Sequence, residues 1–127
     1  MSEEQLKDIK ILIVDDEKIL RETLESYLLL EGAKITQAEN GNKAYELLVK
    51  NKYDIVLSDI RMPGCSGIKL LAMLRTSSLK MPPFVLMSAF TDITSDKAKS
   101  LGARGLFLKP NDLKKLTELL VESLDDF

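Results

Sequence analysis

At 127 residues, with 45% hydrophobic and 30% charged side chains, the chain has the size and balance of one ordinary globular domain and is too short for two well-packed cores. Its net charge of −2 offers no basic field for a nucleic-acid backbone, and no apolar run approaches the ~20 residues that a membrane-spanning helix needs. Histidine is absent and cysteine occurs once, which excludes Ser-His-Asp and Cys-His catalysis, histidine-ligated zinc and an intrachain disulfide.

We therefore expect one domain over residues 1–127, with a core from about residue 9 to 125. The acidic start, MSEEQLKD, lacks the basic and apolar regions of a secretory signal. With a single thiol, this points to a reducing, cytoplasmic setting.

In chain order, residues 10–14 (KILIV) form the first apolar run of strand length, and Ile19, Leu20, Leu24, Tyr27 and Leu28 then recur at helical spacing. Gly32 suits a left-handed helix cap. Lys34 to Ala38 is the second strand, followed by Ala44, Leu47 and Leu48 on a second helix. Ile55 to Ser58 is the third, and the helix after it runs from about Ser66 to Arg75 with Ile68, Leu70, Leu71 and Leu74. Phe84 to Met87 is the fourth strand. The stretch behind it, TDITSDKAKSL, has only Ile93, Ala98 and Leu101 as apolar anchors and predicts a soft helix before Gly102. Leu106 to Leu108 is the fifth strand. Asn111 or Asp112 caps a last helix that carries Leu113, Leu116, Leu119, Leu120 and Leu124. Five strands apolar on both faces, alternating with five helices, predict an α/β fold: a doubly wound parallel sheet covered by helices on both sides.

The polar residues with chemical potential fall just after the strands. Asp15 and Asp16 follow the first, Asp59 the third, Ser88 the fourth and Lys109 the fifth. In open parallel sheets the carboxyl ends of the strands form the ligand crevice. A strand order 2-1-3-4-5 makes strands 1 and 3 neighbours, brings the three aspartates together and leaves Glu39, after strand 2, outside. Two carboxylates about 4 Å apart repel by roughly 4 kcal/mol at an effective dielectric near 20, so the cluster calls for a cation. Magnesium is the default, Mn2+ a substitute. A carboxylate kept ionised there can act as a nucleophile toward a phosphoryl group, with Lys109 sharing the transferred charge and Ser88 donating a hydrogen bond. Taken singly, the same residues are ordinary: an acidic pair at a helix start, a turn aspartate, a capping hydroxyl, a solvated lysine. Cys65, in a glycine-flanked loop, reads as an exposed thiol of unperturbed reactivity.

The segments IVDDE (13–17), LSDIRMPGCSG (57–67), LMSA (86–89) and FLKP (107–110), in this order and spacing, closely resemble the receiver domain of two-component response regulators, across essentially the whole chain. The resemblance implies a CheY-like, flavodoxin-like (βα)5 fold and a phosphoacceptor function. It makes Asp59 the acceptor. Asp16, Asp59 and the backbone carbonyl of Arg61 become the magnesium ligands, with Asp15 acting through water. Ser88 and Phe107 become the switch residues, Lys109 the phosphoryl contact, and Pro63, Gly67 and Pro110 the shaping loop residues, the Lys109–Pro110 bond being typically cis in the family. The implied donor is a sensor histidine kinase or a histidine phosphotransfer protein, and the implied output a protein target, without direct nucleic-acid or membrane binding. Such a domain is a signalling module rather than an enzyme.

The chain departs from the family at three places. Ala103-Arg104-Gly105 replaces an acidic pair that many receivers use to dimerise, phenylalanine stands at 107 where tyrosine is common, and Asn111 follows the Lys-Pro pair. Arg61 and Phe90, each two residues beyond a site residue, would flank the phosphoryl group. Three other readings share the fold: an adaptor that works without phosphorylation, an aspartate-nucleophile phosphohydrolase, and a flavodoxin-like cofactor binder. The phosphohydrolase needs a second acid where Arg61 stands, and the acidic DDE turn repels a cofactor phosphate.

Overall fold

Alternation with a period of two gives each inner strand two apolar faces, and the packing in the computed structural model follows from it. The structure describes residues 4–89, 93–109 and 112–125. Strands β1 (Lys10–Val14), β2 (Lys34–Ala38), β3 (Ile55–Asp59), β4 (Phe84–Ser88) and β5 (Gly105–Leu108) alternate with helices α1 (Lys18–Leu30), α2 (Gly41–Lys50), α3 (Gly67–Thr76), α4 (Ser95–Ser100) and α5 (Leu113–Ser123). The sheet is parallel throughout, in the order β2-β1-β3-β4-β5 expected of the sequence.

Leu12, Val14, Val56, Phe84 and Leu86 point to one face, where Ala44 and Leu48 of α2, Leu70, Leu71 and Leu74 of α3 and Ala98 of α4 cover them. The intervening Ile11, Ile13, Ile55, Leu57, Val85 and Met87 point to the other face, under Leu24 and Leu28 of α1 and Leu116 and Leu120 of α5. β3 and β4 are buried along their whole length because both faces are covered and both edges paired. β2, at an edge, is only partly buried.

Helix ends are set as their sequences suggest. Asn40, Ser66, Thr94 and Asp112 accept backbone N–H bonds at the starts of α2, α3, α4 and α5. Gly32 and Gly102 take the left-handed conformation, with φ of 87° and 107°. Of the two residues proposed to cap α5, Asp112 does so and Asn111 lies outside the described residues, as do Phe90 and Pro110.

Three expectations need correction. Ile19 was placed on the apolar face of α1, yet it is 81% exposed. It stands nine residues before the buried Leu28, about two and a half turns at 3.6 residues per turn, and so faces the opposite way. Cys65 is buried rather than exposed, because the loop before α3 folds it against Gly41 and Met73, whose sulfur lies 3.8 Å from Sγ. The core also begins earlier than about residue 9: Leu6 is fully buried beneath α1, its segment bonded to Glu31 and Gly32.

Candidate functional site

β1 and β3 are adjacent, so the residues at their carboxyl ends share one crevice. Asp15, the first residue beyond β1, is fully buried, and Asp59, the last of β3, is 6% exposed. Lys109, the first residue beyond β5, spans the gap: its ammonium donates to Asp15 Oδ2 at 2.9 Å and lies 3.4 Å from Asp59 Oδ2. Its backbone N–H donates to the Ser88 carbonyl at 2.7 Å, continuing the β4–β5 ladder and fixing where the side chain starts. Ser88 itself is buried at the end of β4.

The β1–α1 turn is built around Asp15. Its Oδ1 accepts the Glu17 N–H at 2.8 Å while Oδ2 meets Lys109, so both oxygens are engaged. The α1 N-terminus has no side-chain cap, and this Asp15 bond satisfies one of its free donors instead. Asp16 and Glu17 are exposed on the crevice rim. Carboxylate oxygens of Asp15, Asp16 and Glu17 all lie within 4.8 Å of one another. Glu17 was not among the residues expected at the site, although it is the third acid of the IVDDE run and its spacing marked it.

The loop after β3 is held by its backbone. The Gly67 N–H donates to the Ile60 carbonyl at 3.0 Å, and a Cβ at position 67 would sit 2.1 Å from the Asp59 carbonyl oxygen, so only glycine lets α3 start this close to β3. Pro63 is exposed on this loop, its carbonyl accepting from the Cys65 N–H at 3.0 Å, and Arg61 is exposed beside it. Phe107 is buried on β5 and packs into the cluster under α1 and α5. Glu39 is exposed at the end of β2, on the far side of β1 from β3.

Electrostatics follow the geometry. Burial and the neighbouring Asp15 charge raise the Asp59 pKa above its ordinary 3.8, with Lys109 opposing them. Burial pulls Lys109 down, but its hydrogen bond to Asp15 and the attraction of both aspartates prevail and hold it above 10.5. One buried ammonium thus serves two buried carboxylates. With Asp16 and Glu17 on the rim, the crevice carries more negative than positive charge, and its oxygen donors suit a hard cation such as Mg2+.

The profile of the response regulator receiver domain matches residues 11–121. The chain belongs to this family. Regulatory protein AtoC of Escherichia coli is 37% identical over 116 residues, 91% of this chain and 25% of AtoC. Sporulation initiation phosphotransferase F of Bacillus subtilis is 32% identical over 116 residues, 91% of this chain and 93% of that protein. The chain therefore spans about a quarter of AtoC and nearly the whole of the sporulation protein. Among solved structures, the response regulator TrrA of Thermotoga maritima, in complex with Mg2+ and BeF, superposes with a TM-score of 0.82 at 34% identity, over 91% of this chain and 99% of TrrA. As a receiver domain the protein is a signalling module that accepts a phosphoryl group in two-component signalling, which implies contact with histidine kinases or phosphotransfer proteins. Receiver domains generally bind Mg2+ at an acidic pocket. No described helix is long and apolar enough to cross a membrane.

Proposed function

We propose that Asp59 is the phosphoacceptor of this receiver, and that the bridge from Lys109 to Asp15 and Asp59 is the observation that carries this reading. A carboxylate oxygen of Asp59 attacks the phosphorus of a partner phosphohistidine in line. The new O–P bond forms as the P–N bond breaks, and the imidazole leaves with the electron pair and takes up a proton. Lys109 turns part of its charge from the aspartates to the incoming phosphoryl oxygens, and the buried Ser88 hydroxyl lies at the neighbouring strand end to donate to them.

Asp16, Asp59 and the Arg61 carbonyl would hold the magnesium ion. Asp15 has both oxygens engaged and acts through water, whereas the Asp16 side chain makes no hydrogen bond among the described residues. Glu17 adds a second rim carboxylate beside Asp16. Bound there, the ion would supply positive charge to offset that of the carboxylates and the phosphoryl oxygens. The Mg2+ and BeF held by TrrA support this assignment.

Phosphorylation then shifts a two-state surface. Ser88 moves toward the new oxygens, and Phe107, without a tyrosine hydroxyl to pair, acts by shape alone to alter the face of α4 and β5 that a downstream protein reads. The domain works in the cytoplasm, alone or within a longer regulator, and binds no nucleic acid itself. Pro63 and Gly67 hold the acceptor loop.

The test is labelling with acetyl phosphate and Mg2+, read by intact mass on a cold, rapidly quenched sample. Wild-type protein gains one phosphoryl group and Asp59→Asn none. Equal labelling of both overturns the assignment.

A further inference from the structure

Arg21, in the first turn of α1, makes no ion pair with the nearby acids among the described residues, and its bonds go elsewhere. Its Nη1 donates to the backbone carbonyl of Asp15 at 2.6 Å, and its Nε donates to the side-chain carbonyl of Gln37 at 2.9 Å. Its own backbone N–H donates to the Glu17 carbonyl at 3.1 Å. The turn Asp15–Glu17 is thereby held at both ends by one residue, and Gln37, paired with Ile13 across the β1–β2 ladder, braces the guanidinium from the sheet.

We propose that Arg21 is a positioning residue of the phosphoacceptor site: braced by Gln37, it fixes the main chain of Asp15–Glu17 and so sets the Asp16 carboxylate for the divalent cation. The inference rests on reading Asp15 and Asp16 as part of the metal site. Two features make arginine the right residue. Its planar fork presents Nη1 and Nε in fixed directions, which a lysine ammonium cannot reproduce. Its side-chain bonds also go to the Asp15 backbone carbonyl and to Gln37, so it holds the turn without pairing with the carboxylates.

Arg21→Lys keeps the charge and loses the fork. Gln37→Leu leaves Arg21 in place and removes the brace. The probe is Mn2+, titrated into the full chain and followed by the electron paramagnetic resonance signal of the free ion. Groups that orient metal ligands typically affect affinity by about 10- to 100-fold, and the lower end is expected for Arg21→Lys. Gln37→Leu weakens binding by a smaller factor, and the double variant is no worse than Arg21→Lys alone, because both act through one latch. Loss of folded protein would lower the number of sites and leave the dissociation constant unchanged, so the two effects separate in the same titration.

A second readout needs no metal. Amide exchange at Glu17, whose N–H is bonded to Asp15 Oδ1, speeds up in metal-free Arg21→Lys and Gln37→Leu relative to wild type. Wild-type Mn2+ affinity in a folded Arg21→Lys protein overturns the proposal, as does unchanged Glu17 exchange. Wild-type protein that binds no Mn2+ instead defeats the magnesium reading, and the exchange measurement then decides alone whether Arg21 holds the turn.

Discussion

Asp59 is held at a disadvantage in the free protein. Its pKa is raised above 3.8 by burial and by Asp15, so folding favours its protonated form. Holding it ionised costs stability progressively as pH rises from that value through its folded pKa, and the cost persists at neutrality. Lys109 has the opposite sense: raised above 10.5, its contribution is complete at neutral pH and is lost only as strong alkali passes its folded pKa. Metal-free Asp59→Asn should therefore unfold several degrees above wild type at pH 7, measured by circular dichroism in chelator. The gap should close once the pH falls below the ordinary value of 3.8, where the wild-type carboxyl is protonated in both states. A gap that stays constant across this range would show that charge is not its cause. On the proposed reading that Asp59 is one of the magnesium ligands, added Mg2+ should narrow the gap at pH 7 by stabilising wild type more than Asp59→Asn.

At the level of elements, the loops are shaped by contact as much as by composition. Gly67→Ala places a methyl group against the Asp59 carbonyl, so the start of α3 must move. Overpacking of this kind costs about 1–3 kcal/mol, and urea denaturation should register it together with slower labelling by acetyl phosphate. Helix α4 is the opposite case. It has six residues, one of them buried, and its start is held by the Thr94 hydroxyl, which accepts the Lys97 N–H at 3.0 Å. Loss of such a cap costs about 1 kcal/mol. In Thr94→Ala, native-state hydrogen exchange should show α4 opening more readily while α5, which buries Leu116, Thr117, Leu120 and Ser123, keeps its protection. The scarcity of buried anchors in α4 was legible in the sequence, because TDITSDKAKSL has few apolar residues. The exposure of Ile19 was not, since apolar spacing gives a stripe and the neighbouring elements decide how wide it is.

Over the whole molecule, the described segment just before β1 belongs to the packing. Leu6 is fully buried beneath α1 and shares a cluster with Leu24 and Leu28. Leu6→Ala should cost about 2–5 kcal/mol, the range for emptying a buried leucine site, as measured by chemical denaturation. Cys65 went the same way: a small, weakly polar residue in a loop gives no local sign of burial, and the packing of α2 against α3 enclosed it. Short-range periodicity in the sequence encodes five strands, five helices, and an acid, hydroxyl or lysine at the carboxyl end of every strand. Which of these groups meet depends on long-range packing. Asp15 and Lys109 stand 94 positions apart, and no local pattern sets the distance between them. Strand order does, by placing β1 beside β3 and β5 beside β4, and it lets one ammonium reach two buried carboxylates. Arg21 and Gln37 are a second pair of that kind, joined across α1 and β2 by a planar guanidinium whose partners become visible only once the sheet is assembled.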